Sequence, residues 1–568
     1  MHKIRAAVVV ALVLMVLTPL TGFAQNDDPV LDAMSQELAR SRSLTLPGYD
    51  PPYFVLYSIT ESRDYIIQTD FGAVINESEH NSRHGLVEVR VGDYTFDNHG
   101  KGGFEFDFDN THYNPSRAQL RVPIEDDLDA IRTQLWLVTD ASYKSALYDL
   151  LKKRGKAVYA VEKEEKTDSF SHETPQQYFG EVKDWDIDRN KWREFAKELG
   201  RMLKDYRGFT TAKVDISFTT QKRRLINTEG TTIVDGGKFF SLSAYAESQA
   251  KDGEQLQHFY HVYARDENGI PKQQEIIKEV KQMAEELQAL TEAEKIDPYT
   301  GPAILDPSLA GVYFHEAIGH RLEGERQNNN DEGQTFKGKI DQAIVSELIS
   351  LYDDPTMRTY QGTELNGYYR YDSEGVPAQR VVLIENGKLK NFLLSRTPIE
   401  GFNKSNGHGR GDGRTDPMAR MAITIVEADK AVSMAKLKKM LMEEAKRQGK
   451  PYGLILRQGR GGQTATTKFN FQAFSNRPGL IYKVDAETGE ETLVRGAEIV
   501  GTPLMSLNKV VAAGKKYDVF NGFCGAESGW VPVSVIAPAL LVSEIELQRT
   551  PDKPEKKPIL NAPFEQMK

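Results

Sequence analysis

Cysteine is nearly missing: Cys524 is the single one in 568 residues. One cysteine excludes any internal disulfide. Positive charge is not in excess either, since 72 Lys and Arg face 82 Asp and Glu, giving a net charge of −10. That balance excludes a nucleic-acid binder that works by neutralising phosphates. Beyond the first residues no apolar run is long enough to cross a bilayer, so no transmembrane segment is expected. A phosphate-cradling loop is also lacking, because GRGGQ at Gly459–Gln463 has neither the Lys-Ser/Thr ending nor a following helix. No G-x-S-x-G nucleophile elbow occurs.

What is present describes a folded chain of several domains. Hydrophobic residues make up 39% and charged residues 27%, as in ordinary globular proteins, and the length exceeds what one core supports. His2, Lys3 and Arg5 precede a continuous apolar run at Ala6–Leu17, and Pro19, Gly22 and Ala24 form a small-residue exit. This reads as a secretory signal peptide over residues 1–24, cut near Ala24, so the mature protein is expected to be periplasmic or secreted. In that setting a free thiol calls for burial or a metal.

Short alternating runs from Tyr53 to Phe96 read as antiparallel strands, with His80 and His84 solvated in a turn between them. Asp126–Leu137 and Ser142–Lys153 read as helices, and Lys163–Asp186 as a linker or excursion. Apolar stripes through Trp192–Leu203 and Ile276–Leu290 have helical spacing. Asn386-Gly387 marks a type I′ hairpin turn. Leu454–Arg457, Phe469–Phe474, Gly479–Val484, Thr492–Ile499 and Val533–Leu547 read as strands. The fold class is therefore α+β. N-terminal α/β-type domains, with helices packed on antiparallel sheet, cover residues 25–165 and a middle region at 166–300. A strand-rich, β-sandwich or barrel-like C-terminal domain covers 301–548, followed by a disordered tail at 549–568.

The chemistry is concentrated in Asp306–Glu325, DPSLAGVYFHEAIGHRLEGE. Asp306 can cap a helix that starts with Pro307. His315, Glu316 and His320 follow. Two imidazoles around a carboxylate suit a hydrolytic zinc site, in which the carboxylate takes a proton from water. The spacing is irregular, however. Histidines at i and i+5 stand about 140° apart around a regular helix, against about 40° for i and i+4. The helix must widen or break between Glu316 and His320 if both are to share an ion, and Gly319 lowers the cost of that distortion. Glu323, Glu325, His408 and Cys524 are all candidates for a third ligand, and spacing does not choose among them.

HEAIGHRLEGE resembles the HExxxH signature of the TldD/PmbA family of metallopeptidases, also called modulator of DNA gyrase. SELISLYDDPT (Ser346–Thr356), VVLIENGKLKNFLLS, NGHGRGDGRTDPMARM, the GGQ at Gly461–Gln463, and FCGAESGWVPVSVIAPALLV (Phe523–Val542) follow in the family's order. The resemblance spans roughly residues 300–548. It implies Zn2+ held by His315, His320 and Cys524, with Glu316 as the catalytic general base. It also implies a TldD-like peptidase acting on unfolded or extended polypeptides. The partner would be a second copy, or a metal-free family relative in a heterodimer. Substrate-contact candidates are Arg420, His408, Gly461 and Gly462, although Ala419 and Ala422-Ile423 depart from the family's pattern beside Arg420. The alternative is a non-catalytic binding or assembly subunit with structural metal or none.

Overall fold

The computed structural model describes residues 28–99, 120–159, 167–329, 331–468, 474–501 and 507–549. The expected signal peptide, the tail beyond Arg549 and most of the expected strand at Phe469–Phe474 lie outside the described residues.

The N-terminal half is one seven-stranded sheet made of β1 (Phe54–Asp70), β2 (Ala73–Arg90), β3 (Leu120–Arg121), β4 (Gln177–Phe179), β5 (Phe209–Asn227), β6 (Thr232–Gln249) and β7 (Gln255–Ala264). Its order is β3-β2-β1-β5-β6-β4, with β7 also paired to β6. β1 and β5 pair antiparallel from Leu56↔Asn227 to Asp70↔Lys213. The boundary expected at 165/166 therefore divides a single sheet: strands from both sides of it hydrogen-bond directly, so neither part completes its ladder alone.

Alternation along these strands sorts their side chains between two faces. Tyr65 and Ile67 of β1, Val214, Ile216 and Phe218 of β5, and Phe240 and Leu242 of β6 pack against α3 (Arg189–Met202) and α4 (Gln273–Glu292). Further along the sheet, Val55, Tyr57 and Ile59 pack with residues of α1 (Pro29–Ser41) and α2 (Leu128–Tyr159). On the other face, Phe54, Leu56, Leu225 and Ile233 pack together at one end, while Ser58, Thr60, Asp64, Ser217, Thr219 and Ser241 are polar and line a cavity.

Two local expectations change. The helices expected at Asp126–Leu137 and Ser142–Lys153 are one continuous helix, α2. No Gly or Pro interrupts the segment between them, and the Thr139 hydroxyl bonds back to the Leu135 carbonyl at 2.6 Å. The turn expected at His80 and His84 is strand instead, with His80 opposite Asp64 and His84 opposite Thr60. Continuous pairing with β1 overrides the turn-like composition.

The C-terminal half is strand-rich, with a twelve-stranded sheet. Within it, β8 (Tyr299–Leu305), β9 (Tyr452–Thr464), β10 (Phe474–Asp485), β11 (Ala497–Gly501) and the long β13 (Gly529–Arg549) pair successively. β13 bonds both β11 and β8, which closes the ring. β12 (Val510–Ala526) forms a hairpin with β13. α5 (Pro307–Ala317) lies against β9 and β13, and its Leu309, Tyr313 and Phe314 join the largest core. α6 (Met434–Arg447) covers the sheet elsewhere through Leu437 and Leu441. The Asn386-Gly387 turn has φ of 47° and 79° and joins strands paired at Glu385↔Lys388. Among the described residues no helix is long and apolar enough to cross a membrane.

Candidate metal centre

The site begins with a cap. Asp306 accepts from the Leu309 amide at 2.8 Å, and its other oxygen accepts from the Gln458 amide of β9 at 2.8 Å. This fixes the start of α5 to the strand beside it, with Pro307 as first helical residue. α5 then stops at Ala317. Ile318 leaves helical geometry with φ −130° and ψ −36°, and Gly319–Leu322 form a 3₁₀ turn. The break required by the i, i+5 spacing is there. Gly319 serves it mainly through room, because a Cβ would stand 2.0 Å from the Met421 sulfur.

Past the break, His315 and His320 turn toward each other, with ring centroids 5.0 Å apart. Cys524 arrives from β12, its sulfur 3.1 Å from His315 Nε2 and 3.4 Å from His320 Nε2. One donor atom from each of the three lies within 4.8 Å of the others, and all three residues are buried. A tetrahedral zinc with sulfur and nitrogen ligands would set neighbouring donors about 3.5 Å apart. His315 Nδ1 is enclosed without a hydrogen-bond partner. Two imidazoles and a thiol converging in one buried cluster fit a metal ion. Burial works against ionising the Cys524 thiol, yet His320 and His315 together hold it well below its ordinary range. A thiolate is the form that binds metal.

Around the three donors lies a supporting layer. Glu323 accepts from His320 Nδ1 at 3.0 Å and from Arg326 Nε at 2.8 Å. Burial opposes its charge, but His320 and Arg326 bring its pKa down to about 2. A carboxylate behind a histidine fixes that ring's tautomer and orientation. Arg326 also pairs with Glu332 at 2.8 Å and with Glu527, beside the β12–β13 turn, at 2.9 Å. Arg420 donates to the Cys524 sulfur at 3.1 Å and to its carbonyl at 2.8 Å.

Glu316 faces the same cavity as the donors, a space of about 740 Å³ also lined by Gly461 and Gly462. Burial raises its pKa above the ordinary carboxylate range. At Gly462 the strand comes so near that a Cβ would stand 2.5 Å from Glu316 Cγ and 2.1 Å from Asn476 Oδ1.

Two of the expected substrate contacts lie deep in the fold. Arg420 and His408 are both fully buried. Arg420 uses its two terminal nitrogens on Cys524, Ser528 and Gly529, so it braces the hairpin. His408 bonds Asp353 through Nε2 at 3.2 Å and Asn406 through Nδ1, away from the three donors. Of the open third-ligand candidates, Glu323 stands behind His320. Glu325 accepts from the Ser395 hydroxyl and from the Ala419 amide. The supporting role of Glu323 is the feature sequence reasoning missed. A carboxylate three residues after a ligand histidine, followed by Arg326, was its available signal.

Residues 298–549 match the PmbA/TldA metallopeptidase C-terminal domain. Over 233 residues the chain is 36% identical to a protein from Methanocaldococcus jannaschii named a metalloprotease, covering 40% of this chain and 47% of that one. A protein from Saccharolobus solfataricus named a zinc metalloprotease TldD homolog is 29% identical over 248 residues, covering 43% of this chain and 51% of that one. The chain thus spans about half the length of these curated relatives. The solved structure of TldE from Thermococcus kodakarensis is similar with a TM-score of 0.60, covering 91% of this chain and 100% of that one. At 15% identity this is a likeness of fold.

Proposed function

Through its C-terminal domain this chain belongs to the TldD/PmbA family, and on that premise we propose that it is a zinc metallopeptidase cutting extended or unfolded polypeptide. The observation that carries the reading is the convergence of His315, His320 and Cys524 beside Glu316 in one cavity. His315, His320 and Cys524 would hold the metal. When bound, zinc supplies a Lewis acid for the scissile carbonyl and makes nearby water more acidic.

The chain's own groups do the rest. Glu316 takes the proton of the attacking water and returns it to the leaving amine. Glu323 keeps His320 oriented, and Arg420 holds the Cys524 sulfur in place. The close strand at Gly462 leaves the Glu316 side chain little freedom to swing away from the cavity.

Glu316→Gln tests the assignment. Metal content by elemental analysis should persist while hydrolysis of denatured peptides falls by orders of magnitude. A Gln variant that still cuts peptides would remove Glu316 from the mechanism. Purified protein with neither metal nor hydrolysis would favour a binding or assembly subunit. Export and pairing belong to the same proposal: the mature chain should fractionate outside the cytoplasm and should sediment as a homodimer or with a relative.

A further inference from the structure

The hairpin that delivers Cys524 has two differently used faces. Cys524, Val531 and Val533 pack together on one of them. Phe523 stands opposite Pro532, and Gly525 opposite Trp530, so alternation puts these four on the other face. There Trp530 is 69% exposed and Phe523 48%. Such exposure is costly for large rings that immediately flank a buried metal-ligand cluster.

Their position gives the exposure a use. Both rings line the cavity that holds Glu316 and the three donors. Both also line a second cavity of about 510 Å³, between the hairpin and the polar face of the N-terminal sheet. They stand where the two spaces meet. Phe523 is braced by Tyr263 of β7, edge to face with ring centroids 6.0 Å apart. The indole of Trp530 lies across Gly525, where a Cβ would be 3.0 Å from the ring. Each ring is thus held on one side and open on the other.

We propose that Trp530 and Phe523 form a subsite that selects peptides with a large apolar or aromatic side chain next to the bond being cut. The inference rests on the peptidase reading and names the substrate class for it. Although the two rings leave the hairpin on the face away from Cys524, both reach the lining of the cavity that holds Glu316 and the three donors. A substrate residue adjacent to the reacting carbonyl can therefore lay its side chain on these rings. Flat apolar faces reward area and stacking, whereas a small or charged side chain gains nothing there. The opposite wall, with Thr60, Asp64 and Thr219, is polar and suits the main chain of an extended peptide.

The test uses zinc-loaded wild type, Trp530→Ala and Trp530→Phe with quenched-fluorescence peptides. These are Gly/Ser/Lys/Glu sequences that carry one variable residue: Phe, Leu, Asp or Gly. Mass spectrometry maps the cuts. Wild type should cut beside Phe and Leu, with kcat/KM roughly 10–100-fold above the Gly peptide. Trp530→Ala should lose most of that ratio, and Trp530→Phe should retain it. An unbiased wild type, or an alanine variant with the bias intact, would overturn the proposal. A second readout separates this idea from the peptidase reading. Titration of the Phe peptide should change the tryptophan emission of wild type and leave that of Trp530→Phe unmoved, while the Gly peptide changes neither. If nothing is cut, the peptidase reading fails and the titration alone decides the subsite. No emission difference between wild type and Trp530→Phe would end it.

Discussion

Glu323→Gln perturbs the metal centre without touching a proposed ligand. Glu323 hydrogen-bonds two donors at once, His320 Nδ1 at 3.0 Å and Arg326 Nε at 2.8 Å, and forms a longer ion pair with a third, Arg420 Nε, at 3.4 Å. Glutamine has the same shape but one acceptor oxygen, so its amide must face either the ring N–H or a guanidinium, donor against donor. Arg326 keeps Glu332 and Glu527 after the change, so the loss falls on His320. One charge-assisted hydrogen bond is worth about 1.5–3 kcal/mol. This agrees with the roughly 10–100-fold fall in metal affinity typical when a supporting carboxylate is removed. Competition with a chromogenic chelator at fixed pH should therefore give a zinc Kd weaker by one to two orders of magnitude. Cys524→Ser should be weaker still. Unchanged affinity in Glu323→Gln would refute the supporting role. Loss as complete as in Cys524→Ser would make Glu323 a direct ligand.

Other consequences follow from the same geometry. Gly462→Ala places a methyl group 2.5 Å from Glu316 Cγ, so it should cost about 1–3 kcal/mol of stability. Peptide hydrolysis should drop about 100-fold through misplacement of the base, at unchanged zinc content. Asp306→Ala removes both the helix cap and the tie to β9, and should lower thermal stability by roughly 2–4 kcal/mol. Burial raises the Glu325 pKa to about 7 from 4.5, so the folded protein holds a proton that the unfolded chain releases between those values. Stability should accordingly fall as pH rises from about 4.5 to 7. Glu325→Gln should flatten that part of a denaturation-versus-pH curve, and an unchanged slope would remove Glu325 as its source.

Much of the centre was legible because its constraints are local. Asp306-Pro307 announces a helix start, and the spacing of His315 and His320 demands a break that Ile318 supplies. The lone cysteine attracts notice by its rarity, although spacing alone left it level with Glu323, Glu325 and His408. The burial of Arg420 and His408 was not legible. It depends on β12, β13 and the strand Ile349–Asp353 arriving together, which no local pattern encodes. The single N-terminal sheet was hidden for the same reason. The β1–β5 ladder joins residues more than a hundred positions apart, and only the alternation within each strand is written locally. His80 and His84 show the limit from the other side, since a polar segment becomes strand when its partner runs alongside.

The ligands are also far apart along the chain, with Cys524 lying 204 residues beyond His320. A metal bridging them acts as a cross-link over a very long loop, and constraining a loop of that length removes much entropy from the unfolded chain. The centre is then a late clasp. A ribosome must finish β12 before the third donor exists, so an ion held by all three is captured only after α5 and its histidines have been made.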